Sequence, residues 1–474
     1  MNGFLSSIAL LLVFASAAAQ AAPAKAPHDL APRLESQSDG DATDSDAGTG
    51  YEEAPPVPVS VEAVEKPSTD NFGILDENHG GLPASVWKGS TRETLDPLLM
   101  QVTGVASAPI RNVLIRLLMT ASPPPQGHSG EDWLTLRLNA LMNLGQEDKV
   151  SQMVSGLPTS LITSPMLETE IEVELAHGDY DKACAKMQPN INSLNAKDTI
   201  FWQKFHIICQ IKGGKSDEAM VGLDVLNETD ATTTFFQDEV RHITNKNIPV
   251  KSSPSSFSLL DFTLMRMAGD NERLKDKIDV LPALAIKYLA LDETADVKLR
   301  EKALARARQL GILPMAENGR LPEQPFEKSL ASDVITLVSA LGSGNTPNDA
   351  DNAVIARLPL DEAGIQDSRR IERLLTLMDI FGYKVPPMVW QKLFAHKNRF
   401  DGEVPPALRV GQLSEAANAN RKGEVIVLAA LAADGNDTDK MSDLTLVPLV
   451  KGLKSMGFDK EARELAYSAV KTYH

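Results

Sequence analysis

Cys184 and Cys209 are the only thiols in this chain and lie 25 positions apart. If they sit on neighbouring antiparallel helices, as their surroundings suggest, they can meet as a disulfide. Such a bond would close a loop of about 26 residues, worth about 3.5 kcal/mol in the chain-entropy description. Two separate buried thiols, packed as small apolar groups, would satisfy the same residues, and both readings stay open. The eight histidines offer no metal pair: none starts an HExxH, and no two stand three or four positions apart, the spacings that turn both rings to one side of a helix. His206, set among Phe205, Ile207 and Ile208, reads as a core or groove histidine in preference to a ligand. There is no GxSxG elbow for a serine nucleophile and no CxxC. Gly342-Ser343-Gly344-Asn345 is a lone turn lacking the GK[ST] that cradles phosphate. Carboxylate pairs such as Glu172 and Glu174 occur in any acidic helical chain and carry no specific signal. The run from Asp39 to Asp46 lacks the glycine and closing glutamate of a calcium loop and reads as solvated acid. These residues predict no catalytic centre, no metal and no cofactor.

The elements that must position such side chains are helices. Met166 to Met187 reads as one helical hairpin. Ser164 and Pro165 suit its start, the first as an acceptor for a free amide and the second as a residue with no amide to satisfy. Met166, Ile171, Leu175 and Ala176 then recur on one side, with Glu168, Glu170 and Glu174 expected mostly elsewhere. Gly178 interrupts the pattern, since glycine takes a positive φ at low cost. Tyr180, Ala183, Cys184 and Met187 carry the second helix, and small Ala183 lets the two approach closely.

This spacing returns along the chain. Gly145 is followed by Val150, Gly178 by Ala183, Gly214 by Ala219 and Gly457 by Ala462, each five positions on. Gly145 to Gly178 is 33 residues, Gly178 to Gly214 is 36, and Gly423 to Gly457 is 34, although Gly423 is followed by Leu428. Such a period is that of stacked helical pairs. The wording HGDYDKA, residues 177–183, closely resembles the central turn of a tetratricopeptide repeat. That resemblance implies an all-α fold, a right-handed α-solenoid of antiparallel helix pairs. The family's large aromatic and glycine of the first helix and its closing proline are mostly missing, so its peptide-carboxylate clamp does not carry over. GGLPASVWKGSTR and LPALAIKYLALDETADVKLREKALARARQLGIL are similar to segments of exported bacterial helical-repeat proteins of unassigned activity, which implies localisation and fold only.

At the start of the chain, Phe4 to Phe14 is a short apolar run, and Ala19-Gln20-Ala21 supplies a small-x-small cleavage pattern. About a dozen apolar residues are fewer than the roughly 20 that span a bilayer. Residues 1–21 are therefore expected to be a signal peptide, removed on export to the periplasm and leaving no transmembrane segment. Met1-Asn2-Gly3 has no Lys or Arg, which leaves an uncleaved anchor as the alternative. Residues 22–72, rich in Pro, Ser, Asp and Glu, cannot bury enough apolar surface to offset the entropy of ordering and read as a disordered linker. They hold 11 acidic and 3 basic side chains, a net of −8 within the chain's −17. The remaining −9 over the body argues against nucleic acid, which requires a basic face.

Order is expected from residue 73 to 474, as about twenty helical segments of roughly 8 to 18 residues. They include Asp132–Met142, Thr199–Lys212, Phe257–Met267, Val297–Leu310, Ile371–Phe381, Leu444–Met456 and Glu461–Tyr473. No sustained alternation of β-branched residues appears. Ser90-Thr91-Arg92-Glu93 has the spacing of a capping box. Leu82, Val86 and Trp87 are expected to plug the open end of the stack; a contact site made by Trp87, Lys88 and Arg92 is the sharper alternative. Asn247–Ser256 is one candidate break. The three prolines of residues 311–325 mark the stronger candidate for a hinge.

A body of this kind without catalytic motifs predicts a non-catalytic periplasmic scaffold or assembly factor that binds another envelope protein. Periplasmic lytic transglycosylases also carry a long α-superhelix, but their Glu-Ser pair followed by Gly-Leu-Met-Gln has no counterpart here. A cell-wall-acting enzyme with an unrecognised site and a secreted interaction protein are the remaining expectations, the first requiring a deep pocket with convergent carboxylates or histidine.

Overall fold

The computed structural model describes residues 68–128, 130, 132–190, 200–228, 233–253, 256–314, 326–360, 363–395, 407–433 and 437–473, all within the unit Glu65–His474. The expected signal peptide, most of the expected linker and most of the expected hinge lie outside these residues. The fold is all-α. Among the described residues there are 21 α-helices and no strand, with two isolated bridges, Leu75 to Thr120 and Thr91 to Gln126.

The first group is α1 (Arg92–Met100), α2 (Ala108–Met119), α3 (Trp133–Asn143) and α4 (Glu147–Ser155). Next come α5 (Ser164–His177), α6 (Tyr180–Asn190), α7 (Ile200–Lys212), α8 (Ser216–Glu228), α9 (Thr234–Thr244) and α10 (Leu259–Ala268). They lead to α11 (Asn271–Lys277), α12 (Ala283–Leu291), α13 (Val297–Gln309), α14 (Lys328–Gly342), α15 (Asp349–Arg357) and α16 (Ile365–Ile380). The last group is α17 (Pro387–Ala395), α18 (Ala407–Asn418), α19 (Lys422–Ala433), α20 (Asp443–Ser455) and α21 (Asp459–Val470).

The plus-five spacing has a geometric cause. At the α5–α6 turn Gly178 adopts φ 86°, its amide donates to Leu175 O, and the Asp179 amide donates back to Glu174 O. These bonds satisfy carbonyls that the end of α5 would otherwise leave bare. Asp179 then caps the next helix, its carbonyl accepting from the Ala183 amide at 2.9 Å. The residue five past the glycine is thus the first whose amide enters the new ladder, and its side chain faces back onto the helix just completed. Val150, Ala183, Ala219 and Ala462 all occupy that place and are fully buried. Two further turns follow the same rule: Gly269 precedes buried Leu274, and Asn420, at φ 55°, precedes buried Val425.

Two helix starts differ from expectation. The α5 helix begins one residue early, with Thr163 at its cap, and Ser164 Oγ donates to Glu168 instead of accepting from an amide. At α1 the capping residue is Thr91 and no side-chain cap forms; the Arg92 amide instead donates to Gln126 O across the chain. A tertiary partner took the local one's place at α1, and at α5 the Ser164 hydroxyl also accepts from the Trp202 indole at 2.7 Å.

Two apolar cores lie side by side. The smaller gathers Trp202, Phe205, Ile208, Leu223, Phe236 and Val240 of α7 to α9 with one side of α5 and α10. The larger takes the other sides of α5 and α10, through Met166, Val173, Phe262 and Met265, and runs through α1 to α4 and α11 to α21, while Ala183 and Met187 of α6 join the smaller. Because α5 and α10 are covered on both sides, neither shows the single apolar stripe of a surface helix.

Consecutive helices pack along the chain, and its two ends also meet: α1 and α2 lie against α19, and α2 against α21. Arg116 pairs with Glu461, and the Ser107 and Thr438 hydroxyls are 2.8 Å apart. Gly423, in the first turn of α19, donates its amide to Val86 O and lies under Trp87, whose ring packs edge-on against Trp133 at 5.0 Å. A Cβ at Gly423 would stand 2.4 Å from Trp87 Cε3. Gly423→Ala should therefore cost about 1–3 kcal/mol in urea denaturation although alanine is the better helix former. An unchanged midpoint would mean that Trp87 can move aside.

Candidate functional site

The α6–α7 pair is held covalently. Cys184 and Cys209 form a disulfide, S–S 2.01 Å and Cα–Cα 5.7 Å. Beside it Lys212 reaches over the Tyr180 ring and toward Asp181.

The residues Trp87, Lys88 and Arg92 do not share one environment. Trp87 is buried between α3 and α19, Arg92 is buried on Asp96 at 2.7 Å with its guanidinium over the Trp133 ring, and Lys88 is exposed.

The turn residues of the α5–α6 hairpin are more engaged than turn chemistry requires. The His177 ring packs edge-on against Tyr288 of α12, with Nε2 on the phenol oxygen, and the Tyr288 hydroxyl donates to Glu147 at 2.8 Å. Lys287 reaches the same carboxylate and Gly145 O. Burial and the Glu147 carboxylate both push the Tyr288 phenol up from its ordinary range. Glu174, His177 and Asp179 bring three donor atoms within 4.8 Å of one another. Yet Glu174 already holds Lys182 at 2.8 Å and Lys186 at 3.1 Å, and His177 holds Tyr288. The cluster is an ion-pair network tying two turns to α12, with its negative charge already matched.

Two of the concavities among the described residues bear on function. The first is a groove of about 560 Å³ between α7 and α8. Trp202 and Ile207 form its floor, and His206 is exposed at its side. Val221 and Val225, one helical turn apart on α8, are 65% and 53% exposed, large fractions for aliphatic side chains with no cover. Asp217, Glu218, Asp224 and Glu228 are the ionisable side chains of α8, all exposed.

The second is an open cleft of about 630 Å³ lined by α1, α3, α5 and the segments that lead into α10 and α12. Leu99, Leu136, Phe257 and Leu281 give it apolar walls, Asn139 and Asn143 line it from α3, and among the described residues Glu172 is the one charged side chain on it. Burial, with a smaller contribution from Glu168 one turn away, raises the Glu172 carboxyl to about 7. Glu168 is itself raised by burial, against the opposing pull of Ser164 and Trp202. Folding makes Glu172 a weaker acid than in the unfolded chain, where it would ionise near 4.5. Its contribution to stability is complete below that value, is lost as pH rises to about 7, and is constant above.

Sequence reasoning passed over both concavities. Val221 and Val225, a turn apart on an otherwise acidic helix, were a legible signal. Glu172 was not, because an acid between Ile171 and Val173 looks like any helical glutamate until α3, α10 and α12 close around it. Among the described residues no helix is long and apolar enough to cross a membrane. The chain matches no family model, no curated protein and no solved structure.

Proposed function

We propose that this chain is a non-catalytic, exported scaffold or assembly factor that works in the periplasm, a right-handed tetratricopeptide-like solenoid that binds another envelope protein. The observation that carries the reading is the α7–α8 groove, where two uncovered valines lie beside an apolar floor and an acidic rim. An amphipathic helix suits it, laying an apolar stripe on Val221 and Val225 and bringing Lys or Arg to Asp217, Glu218 and Asp224. The α6–α7 disulfide keeps the wall of the groove fixed, which lowers the ordering cost of binding. It also supports export, since such bonds persist in oxidising compartments, and the apolar run Phe4–Phe14 with Ala19-Gln20-Ala21 supports the same route.

A photo-reactive side chain in place of His206, exposed at the side of the groove, should crosslink one envelope protein through a basic amphipathic segment. The pair Val221→Asp and Val225→Asp should abolish that adduct while moving the urea midpoint by no more than about 0.5 kcal/mol, because both positions are exposed. No adduct, or an adduct unaffected by the two aspartates, would remove the groove as the docking site. Cell fractionation with a periplasmic marker checks the compartment.

A further inference from the structure

We propose that the cavity between α3, α5, α10 and α12 is a binding site for a small organic cation, a primary amine on an apolar body, held by Glu172 with Asn139 and Asn143. The cavity's volume, about 630 Å³, falls within the range of roughly 300–1,000 Å³ that holds small-molecule ligands, and its walls are mostly apolar with a few polar groups.

The polar groups decide the ligand's chemistry. An ammonium carries three donors and no acceptor, so its site must supply acceptors and negative charge. The cavity offers a carboxylate and two amide oxygens, and the side chains of Glu172, Asn139 and Asn143 make no hydrogen bond within the described residues. Among the described residues no basic side chain lines it to compete for Glu172. Asp261, near the α10 wall, is turned into the cap of its own helix, accepting from the Ser258 amide and hydroxyl. Glu168 is the carboxylate facing Glu172 along α5, and the lining from α1, α3, α10 and α12 is uncharged. A half-buried carboxylate set in largely apolar walls attracts a cation and repels an anion. The uncapped first turn of α12, Pro282 to Leu284, also opens on the cavity and supplies the competing possibility, an anion held by free amides.

Three six-carbon probes separate these outcomes on the full chain by isothermal titration calorimetry at pH 8: hexylamine, hexanol and hexanoate. Hexylamine should bind, and hexanol and hexanoate more weakly by about tenfold or more. Glu172→Gln should weaken hexylamine by a similar factor while leaving hexanol unchanged, which shows that the cavity is still formed. Lowering the pH from 8 to 5.5 should weaken hexylamine in the native chain and leave the Gln variant unaffected, because the carboxyl must lose its proton to pair with the cation. The proposal is overturned if hexylamine does not bind, if hexanoate binds as well as the amine, or if Glu172→Gln leaves amine affinity intact. The site is independent of the α7–α8 groove, and the valine variants should not alter any of these titrations.

Discussion

Arg137→Ala is expected to lower the stability of the fold by about 3–5 kcal/mol, the largest loss from any single side chain of α3. The guanidinium is fully buried and donates to three carbonyls: Nε to Leu118 O at 2.7 Å, Nη2 to Thr120 O at 2.9 Å, and the third nitrogen to Phe72 O at 2.7 Å. Leu118 and Thr120 lie at the C-terminal end of α2, where carbonyls have no intrahelical partner, and Phe72 belongs to the segment running alongside. Arg137 thus closes one helix end and fastens the first ordered residues to it. Burial pulls its pKa down to about 10, opposed by Asp132, so at neutral pH it remains a cation and all of its donors stay in use. Removal would strip the arginine's donors from two buried carbonyls, Leu118 O and Thr120 O, and from the half-buried Phe72 O; a buried acceptor left unsatisfied costs about 1–3 kcal/mol, and water or the Ser122 hydroxyl, 3.5 Å from Thr120 O, recovers part of the loss. Arg137→Met separates the contributions: it restores most of the volume but none of the donors, so it should remain destabilised by more than half as much. Urea denaturation with an unchanged slope is the measurement. A methionine variant as stable as the native chain would show that packing, not hydrogen bonding, is what the arginine supplies.

Replacing Cys184 and Cys209 together by serine should cost about 2–4 kcal/mol, and dithiothreitol on the native chain should reproduce the loss. The closed loop spans 25 positions, so the bond removes considerable freedom from the unfolded chain. The folded side matters as much. Among the described side chains of α6 only Ala183 and Met187 are buried, which is little apolar area for a helix of 11 residues. Without the bond, α6 is attached to α7 by Lys212 on Tyr180 and Asp181, partly exposed contacts of small worth. The loss should therefore be local: in hydrogen exchange the α6 amides should lose protection well before those of α3, which is buried almost all round. Equal α6 protection in native and double-serine chains would mean that packing alone holds the helix.

How far the sequence reached depended on whether a residue's role is set by its neighbours in the chain. Gly178 and Ala183 were legible because both ends of their relation lie within six residues, and the hydrogen bonds of the turn require that spacing. Asn420 with Val425 escaped, since asparagine takes the left-handed conformation without announcing it, and Gly423, whose spacing had suggested a turn, lies inside α19 beneath Trp87. Glu174 was assigned away from the core and is 6% exposed instead, because α5 has cores on both sides and no free face, a property of what packs on the helix. The salt bridges to Lys182 and Lys186 compensate that burial. The same reason hid the candidate sites. Glu172 acquires its surroundings from α3, α10 and α12, and no periodicity within α5 encodes which walls will stand there.

The contact of α2 with α19 and α21 sets the order in which this chain can be assembled. Ile110, Val113, Leu114 and Leu117 are fully covered in the finished fold, and part of that cover comes from helices that begin some 300 positions later. A chain delivered from its N-terminus must hold those side chains without their final partners until nearly all of it has emerged. Loops of that length close slowly, and apolar surface exposed meanwhile is an opening for aggregation. The first helices therefore keep apolar surface uncovered longest, until α19 and α21 arrive to close it.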